Sequence, residues 1–355
     1  LLAGGALTLP GDRRAGAAAA TVPAEEQAAT IAALRPPKRA RPVIAVLAHN
    51  DGTETTDFIV PYGVLAAAEC ADVVTVALRD APVILMPALR IRPGMTTAAF
   101  ATQYPDGADY VIVPAMHTAD DPAIVAWIKA QAASGAIIVG ICAGAEILGA
   151  AGLLEDRAAT THWFSASRLR RAYPRMRWTP DRRYVLDRGV MTTTGVSASI
   201  PVSLALVEAI AGRHRAAAVA AGLGVDAWGA GHDSHRFRLD RPALLTAARN
   251  LFAFWSYDTV PITLHDGIDD VALALTADAY ARTYRTTVRT VTSGPPAIVT
   301  RHGLTVLADD LTAPRSAPVA VPAAGNALAA ALDGVTQRYG ESTADFVALQ
   351  LEYPH

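Results

Sequence analysis

Cysteine and net charge are both scarce in this chain. Its 355 residues include two cysteines, Cys70 and Cys142, too few for a disulfide scaffold or a four-cysteine zinc site. Charged residues make up 18% of the sequence, and 31 lysines and arginines against 33 aspartates and glutamates give a formal net charge of −2. Without a basic excess to neutralise phosphates, a dedicated nucleic-acid-binding protein is disfavoured. The hydrophobic share of 52% is too high for a disordered chain and is ample for sizeable cores.

The first 41 residues differ in composition from the rest of the chain. The opening run Leu1–Pro10 (LLAGGALTLP) is apolar but is only about half as long as a membrane span. Two interpretations stay open, the end of a signal peptide or membrane anchor and an Ala/Gly-rich leader. The compartment is therefore undetermined: cytoplasmic, or exported or membrane-anchored. Residues 11–41 predict a linker or a wrapped arm, and we expect the basic cluster near its end, at Arg35–Pro42, to be solvated.

From Pro42 onward, buried strands alternate with helices. Apolar runs typical of strands covered on both faces occur at Val43–Ala48, Tyr110–Pro114 and Ala136–Ile141, and a further strand is expected at Val73–Leu78. Helical patterns lie at about 57–69 and 121–133, and a short hairpin is expected around 83–91. The alternation predicts a doubly wound, mostly parallel α/β sheet of the flavodoxin-like type over residues 42–255. In such sheets functional groups gather at the carboxyl ends of the strands.

The last hundred residues repeat features of the first domain in the same order. His49-Asn50-Asp51-Gly52 is echoed by His265-Asp266-Gly267, and Val113-Pro114-Ala115 by Val321-Pro322-Ala323. We interpret residues 256–355 as a degenerate, shortened repeat that has lost its middle, including the segment that matches residues 140–163. A copy this short is expected to dock on the first domain. The alternative is that α/β proteins share such features by composition alone.

The segment Ala136–Trp163 carries the clearest chemical pattern. A buried strand leads directly into Gly140-Ile141-Cys142-Ala143-Gly144 and then into a helix, which is the layout of a nucleophile elbow. Small neighbours leave room for the strained turn, and the helix N-terminus favours a thiolate at Cys142. A buried, purely structural cysteine is the alternative for Cys142. Cys70, at the end of a helix, is expected to be structural.

Three separated pieces of the chain resemble the ThiJ/PfpI superfamily, which has the class I glutamine-amidotransferase-like fold. They are the elbow G-I-C-A-G, the segment A-T-T-H-W that ends at Trp163, and the stretch Thr53–Pro61. The loop Thr193–Ala198 also resembles the late strand-to-helix loop of that family, so the resemblance covers about residues 43–225. The chain is similar to the branch found in regulators, yet it shows no basic helical pair after residue 255 that would form a helix-turn-helix domain.

The resemblance assigns roles to individual residues. It implies that Cys142 is the nucleophile, that Asp57 hydrogen-bonds its sulfur or shuttles its proton, and that His162 lies near the cysteine. The backbone N–H of Ala143 would be one oxyanion donor. Glu54 is a further pocket candidate, although a carboxylate at a helix N-terminus is the simpler interpretation.

Two departures from the family pattern weaken some activities. Where relatives have two glycines and a second oxyanion N–H, this chain has Ala115-Met116-His117. A side chain here puts the backbone donor at Met116, and with it acyl-type chemistry, in doubt, while His117 is either a new pocket group or a solvent-facing loop residue. The residue after Cys142 is Ala143, neither the histidine of the protease-like branch nor the threonine of isonitrile hydratases, so a protease is disfavoured.

Three classes of function remain. The first is a cysteine-dependent hydrolase, hydratase or lyase of a small electrophile such as an α-oxoaldehyde, an isonitrile or an amide. The second is a non-catalytic ligand-sensing or redox-sensing module, and the third is an interaction protein that uses the shortened repeat. We expect a small molecule as substrate or ligand, no direct nucleic-acid binding, no cofactor and no metal, with a homodimer left open. The two histidines in Gly229–His235 are expected to lie in a turn.

Overall fold

The computed structural model describes residues 21–309, 316–323 and 325–354. The opening run Leu1–Pro10 lies outside these residues. The strands are β1 (Val43–Ala48), β2 (Thr53–Glu54), β3 (Asp72–Ala77), β4 (Val83–Met86), β5 (Arg90–Arg92), β6 (Met95–Thr96), β7 (Tyr110–Val113), β8 (Ile137–Gly140), β9 (Ala158–Ala159), β10 (Arg177–Trp178), β11 (Tyr184–Asp187), β12 (Val190–Thr193), β13 (Asp258–Thr263), β14 (Thr286–Val291), β15 (Ala297–Val299) and β16 (Thr305–Leu307).

Helices alternate with these strands along the chain. They are α1 (Ala24–Ala33), α2 (Thr55–Ala67), α3 (Thr97–Gln103), α4 (Pro122–Ala133), α5 (Gly144–Ala150), α6 (Trp163–Ala172), α7 (Ser199–Ala211), α8 (Arg213–Gly222), α9 (Arg241–Phe252), α10 (Asp270–Ala281), α11 (Ala327–Tyr339) and α12 (Glu341–Gln350). No helix of the described residues is long and apolar enough to cross a membrane.

The main sheet has the order β11-β12-β8-β7-β1-β3-β6. Its neighbouring strands are parallel except β11 and β12, which confirms the mostly parallel sheet predicted from the sequence. Alternate residues of β1 enter two different hydrophobic cores, Ile44 and Val46 on one face and Ala45 and Leu47 on the other. A strand buried on both faces needs an unbroken apolar sequence, and VIAVLA provides it.

The carboxyl ends of β1, β7 and β8 lie side by side because these strands are parallel neighbours. The chain that follows β1 begins α2, the chain that follows β7 passes through Ala115 and Met116, and the chain that follows β8 carries Cys142. This adjacency brings together candidate residues that are far apart in sequence.

The arm before β1 packs onto the domain. Leu34 is fully buried, and its carbonyl accepts a hydrogen bond from the Tyr110 hydroxyl at 2.6 Å. The Arg39 guanidinium pairs with buried Asp109 at 2.6 Å, and the backbone N–H groups of Lys38 and Arg39 donate to the same carboxylate. Of the two forms considered for residues 21–41, the structure shows the wrapped arm. The expected solvation holds for Arg35 and Arg41, which are exposed, but not for Lys38 and Arg39, which are half-buried where they bond to Asp109.

The segment after residue 257 (the C-terminal segment, residues 258–354) packs against the first domain over a broad area. β13 and β14 form a parallel pair, and the hairpin β15–β16 extends the sheet of β4 and β5 through antiparallel pairing of β16 with β5. Helix α10 lies against α2, and residues of both helices belong to one hydrophobic core. The segment is thereby placed beside the site built on α2.

Candidate functional site

Cys142 lies at a strained turn between β8 and α5. Its φ is +55°, in the left-handed region that a side chain rarely adopts. Three hydrogen bonds hold the turn: the Ile141 N–H donates to the Val113 carbonyl at 2.9 Å, the Cys142 N–H to Thr193 Oγ1 at 3.1 Å, and Thr161 Oγ1 to the Cys142 carbonyl at 2.8 Å. A Cβ on Gly144 would come within 2.1 Å of the Val113 oxygen, so only glycine fits there. The backbone has the geometry of a nucleophile elbow.

Asp57 lies in the first turn of α2 and is fully buried. Its Oδ2 accepts a hydrogen bond from the Ala115 N–H at 3.1 Å, whereas its Oδ1 receives none from any donor in the described part of the chain. Burial raises the pKa of Asp57 to about 7, partly offset by the Ala115 hydrogen bond and the charge of Arg282. Asp57 therefore exchanges its proton near neutral pH.

Glu54 is the N-cap of α2, and its Oε2 accepts from the Asp57 N–H at 2.5 Å. The simpler interpretation of Glu54, a helix-terminal carboxylate, is thus correct, but the same side chain is also buried beside the site. Burial and the charge of Asp57 raise its pKa to about 7. Glu54 and Asp57 titrate as a pair, because the charge of Asp57 raises the pKa of Glu54.

Arg282 of the C-terminal segment completes this cluster. Its guanidinium donates to Glu54 Oε1 at 2.6 Å and to Asp278 Oδ1 at 2.7 Å. Burial raises the pKa of Asp278 to about 7, so three buried carboxyls share one cation. Sequence reasoning missed Arg282 and Asp278. Their signal was an i,i+4 acidic–basic pair at the end of an otherwise apolar helix, since charged residues are seldom buried unless paired.

The last residues of the chain cover the other side of the elbow. Glu352 is buried, and its two carboxylate oxygens accept from the Trp163 N–H at 2.6 Å and the Gly195 N–H at 2.5 Å. The Ser197 N–H donates to the Leu351 carbonyl at 3.0 Å. These contacts tie the loops after β9 and β12 to the C-terminal segment.

His162 is held by backbone groups on both ring nitrogens. Its Nε2 lies 2.9 Å from the Gln350 carbonyl, and its Nδ1 accepts from the Phe164 N–H at 3.3 Å. A carbonyl only accepts, so the proton is assigned to Nε2. Burial lowers the pKa of His162, which keeps the ring neutral. This arrangement gives no support to a proton-transfer role for His162, which remains a prediction from the family resemblance.

The thiol of Cys142 differs from the sequence-based expectation of a thiolate. Cys142 is 8% exposed, and burial raises the pKa of its thiol well above the ordinary value. The charges of Asp57, Glu54 and Glu352 raise it further, in that order. The Ala143 N–H works in the opposite direction but is outweighed. The expectation was wrong about the direction, because burial of the thiol, together with the charges of three carboxyls, outweighs the helix N-terminus.

The segment after β7 is fixed by the two carboxyl residues. The Ala115 N–H is taken by Asp57, and the Ala115 carbonyl accepts from the Glu54 N–H at 2.8 Å. Met116 pairs with Thr53 in an isolated antiparallel bridge, so its place as an oxyanion donor stays a prediction. His117 is exposed, which corresponds to the solvent-facing alternative.

Among the described residues, no group of three or more histidine, cysteine or carboxylate side chains has the arrangement of a metal site. His232, from the glycine-rich loop, is buried, stacks on Phe237 and lies 3.8 Å from Glu352 Oε2.

Comparison with known proteins agrees with this geometry. The profile of the DJ-1/PfpI family matches residues 43–209. Isonitrile hydratase of Pseudomonas putida is 31% identical over 161 residues, which cover 44% of this chain and 67% of that enzyme. The chain belongs to the DJ-1/PfpI family. The suspected ThiJ/PfpI relationship is thereby confirmed.

Other proteins that resemble the chain are regulators. The HTH-type transcriptional regulator CdhR of Pseudomonas aeruginosa is 34% identical over 86 residues, covering 24% of this chain and 25% of that protein. GlxA of Rhizobium meliloti, also an HTH-type regulator, is 40% identical over 73 residues, or 21% of this chain and 22% of that protein. The chain thus spans about a quarter of these regulators.

Among solved structures, Drosophila melanogaster DJ-1beta aligns with 53% of this chain and all of its own, at 23% identity and a TM-score of 0.47. A ThiJ/PfpI family protein from Pseudomonas syringae aligns over 51% of this chain and 74% of its own, at 26% identity and a TM-score of 0.45. The fold assignment rests on the sheet of the chain itself and on the family profile.

Proposed function

We propose that the chain is a cysteine-dependent enzyme acting on a small electrophile, with Cys142 as nucleophile and Asp57 as the carrier of its proton. The observation that supports this most directly is the buried Oδ1 of Asp57, which receives no hydrogen bond from the described residues although its carboxyl lies close enough to raise the pKa of the Cys142 thiol. A buried carboxyl oxygen that lacks a hydrogen-bond donor is stabilised when it binds a proton. The Cys142 thiol is a group that can supply this proton.

Proton transfer and attack have to be coupled at this site. The thiol is protonated near neutral pH because its pKa is raised, so a free thiolate is scarce. A carboxyl with a pKa of about 7 can take the thiol proton as the sulfur attacks and return it later in the cycle. Glu54, hydrogen-bonded to the Asp57 N–H, supports this exchange by titrating in the same range.

Hydration of an isonitrile suits these groups. Sγ bonds to the terminal carbon of the substrate while the thiol proton passes through Asp57 to the substrate, giving a thioimidate on Cys142. Water then adds to that carbon, Asp57 handles the proton, and the carbon–sulfur bond breaks to release an N-substituted formamide and the thiol. The sum is one isonitrile plus one water giving one formamide.

Amide hydrolysis suits the site less well. Attack on an amide carbonyl creates an oxyanion that needs two aligned N–H donors. Ala143 can provide one, but the second donor, at Met116, stays a prediction at a position where relatives have glycine, and the neighbouring Ala115 N–H is taken by Asp57. Neither step of isonitrile hydration creates such an oxyanion, because each addition is accompanied by a proton. The activity that gives the relative isonitrile hydratase its name belongs to the same class.

The second candidate function is a sensor, favoured by the similarity to regulators. A redox sensor needs an accessible thiolate, because oxidation of cysteine begins from that form. The buried, protonated thiol of Cys142 disfavours redox sensing, while ligand sensing remains the alternative to catalysis.

The test is turnover by the purified chain in a Cys70→Ser background, so that Cys142 is the sole thiol. We expect n-butyl isocyanide to give the formamide, followed by NMR, with weaker or no turnover of methylglyoxal and acetamide. Cys142→Ser should reduce formamide production to a small residual rate, and Asp57→Asn should lower it by at least about 100-fold. If none of the three compounds is consumed, or if both variants match the parent protein, the enzyme proposal is wrong.

A further inference from the structure

The C-terminal segment reproduces the start of the first domain element by element. β1–α2–β3 corresponds to β13–α10–β14, and each strand pair is parallel over six residues. The helices begin alike: Glu54 caps α2 by accepting from the N–H three residues on, and Asp269 caps α10 in the same way at 2.8 Å. Hairpin β4–β5 corresponds to hairpin β15–β16.

The agreement continues at the end of each of the two units, the first domain and the C-terminal segment. α7 and α8 are 13 and 10 residues long, and so are α11 and α12. The glycine between each pair has nearly the same conformation, φ 85° and ψ 164° at Gly212, φ 86° and ψ 158° at Gly340. Similar composition does not produce matching torsion angles at matching positions, so these agreements favour a duplication.

The two units contact each other through equivalent elements. Helix α2 packs on α10, which is its counterpart, and β5 pairs antiparallel with its counterpart β16. Contact of a surface with its own equivalent is the signature of a two-fold symmetric interface.

The two units differ in the residues that lie beside the candidate site. With Gly52 matched to Gly267, Asp278 and Arg282 stand where α2 has Gly63 and Ala67. A Cβ on Gly63 would come within 2.8 Å of Val271 Cγ2, so the helices touch closely at that end. At the other end Arg282 reaches Glu54, and Asp278 accepts a hydrogen bond from the Thr56 hydroxyl. The first unit has the elbow cysteine and the second supplies the half-buried cation.

We infer that the C-terminal segment occupies the place that a second copy of the chain would take in a two-fold symmetric dimer, and that Arg282 is the positioning residue through which it orders the carboxyls around Cys142. The second part rests on the proposed function. Arg282 fixes Glu54, Glu54 fixes the N–H of Asp57, and the Arg282 backbone is itself held by Gln350, whose side chain donates to its carbonyl at 2.9 Å.

The first experiment tests the placement. Arg92 and Thr305 are directly opposite in the β5–β16 pair, so R92C/T305C in the C70S background places two cysteines across the interface between the units. After mild oxidation, a non-reducing gel should show a cross-linked chain that runs as a monomer. A disulfide-linked dimer as the main product would overturn the inference, because the interface would then be made by two chains.

The second experiment tests Arg282 without requiring turnover. The rate of Cys142 alkylation by iodoacetamide is measured against pH in the C70S background for the parent, R282Q, R282K and R301Q. Removing the guanidinium from the carboxyl cluster should displace the alkylation profile to higher pH and lower the rate at neutral pH about tenfold for each pH unit of displacement. R282K should restore most of the rate. R301Q is the matched control, because Arg301 pairs at 2.8 Å with Asp269, the equivalent of Glu54 in the C-terminal segment.

An R282Q profile that coincides with that of the parent would refute the positioning role. If R282Q does not fold, D278N/R282Q removes the cation together with one carboxylate, and a smaller displacement in the same direction is expected. Alkylation is independent of the reaction proposed above. A displaced R282Q profile in a chain that turns over no electrophile would therefore support the role of Arg282 and refute the proposed enzyme. Normal turnover with an unchanged R282Q profile would support the enzyme and refute the role of Arg282.

Discussion

Replacing Asp57 with asparagine should make the protein more stable and less active at the same time. Asparagine has nearly the same shape, so its side-chain oxygen can still accept from the Ala115 N–H. It cannot ionise, and it cannot carry a proton for Cys142. The variant thus separates the energetic cost of a buried carboxylate from its chemical use.

The size and pH range of the effect follow from the pKa of Asp57. Folding raises it from 3.8 to about 7, so the folded state holds this proton more tightly than the unfolded state does. The protonated Asp57 side chain makes its full contribution to the unfolding free energy below about pH 4, and this contribution is lost as the pH rises to about 7. The rise corresponds to roughly 4 kcal/mol of unfolding free energy, an upper value because Glu54 and Asp278 titrate in the same cluster.

The assay is urea unfolding of the parent protein and D57N at pH 4.5 and pH 8. We expect similar free energies of unfolding at pH 4.5 and an advantage of D57N at pH 8 of up to about 4 kcal/mol. D106N, at an exposed loop carboxylate, serves as the control and should change neither value. A D57N protein that is less stable than the parent at pH 8, or whose advantage is the same at both pH values, would refute the assignment of a buried, proton-binding Asp57.

Three further outcomes are expected. G144A should cost more than about 3 kcal/mol or prevent folding, as judged by thermal unfolding, since its Cβ would strike the Val113 oxygen; a mild effect would contradict the elbow geometry. E352Q should lower the unfolding free energy by about 1–3 kcal/mol, because its carboxylate accepts two backbone N–H groups, whereas E155Q at the surface should lie within about 0.5 kcal/mol of the parent. H162Q should lose stability but keep the pH dependence of turnover, since His162 is bonded to the backbone. A pH–rate profile that shifts in H162Q would instead support a proton-transfer role for His162.

The parts of the structure that depend on local sequence were predictable. The strand Val43–Ala48 has the predicted bounds, because a continuous apolar run has one stable place in a covered parallel sheet. The elbow was recognisable for a similar reason, since a strand, a turn of small residues and a helix start follow each other directly, whereas Asp57 was assigned through the family resemblance.

The electrostatics of the site were not predictable, because they arise between distant segments. The thiol of Cys142 faces carboxyls from both the start and the end of the chain. The ring of His162 bonds to the carbonyl of Gln350, which lies 188 residues away in the sequence. Arg282 lies in a segment that, read alone, is only a degenerate repeat. Such contacts follow from the packing of the two units, which local patterns do not encode.

The central claim is that Cys142 and Asp57 act as one unit, and a double-mutant cycle tests it most directly. The quantity to measure is kcat/KM for isonitrile hydration in the C70S background, for the parent, C142S, D57N and the double variant. If Asp57 works only by moving the proton of Cys142, the double variant should be no slower than C142S alone. Losses that multiply in the double variant, or a C142S variant as active as the parent, would contradict the account.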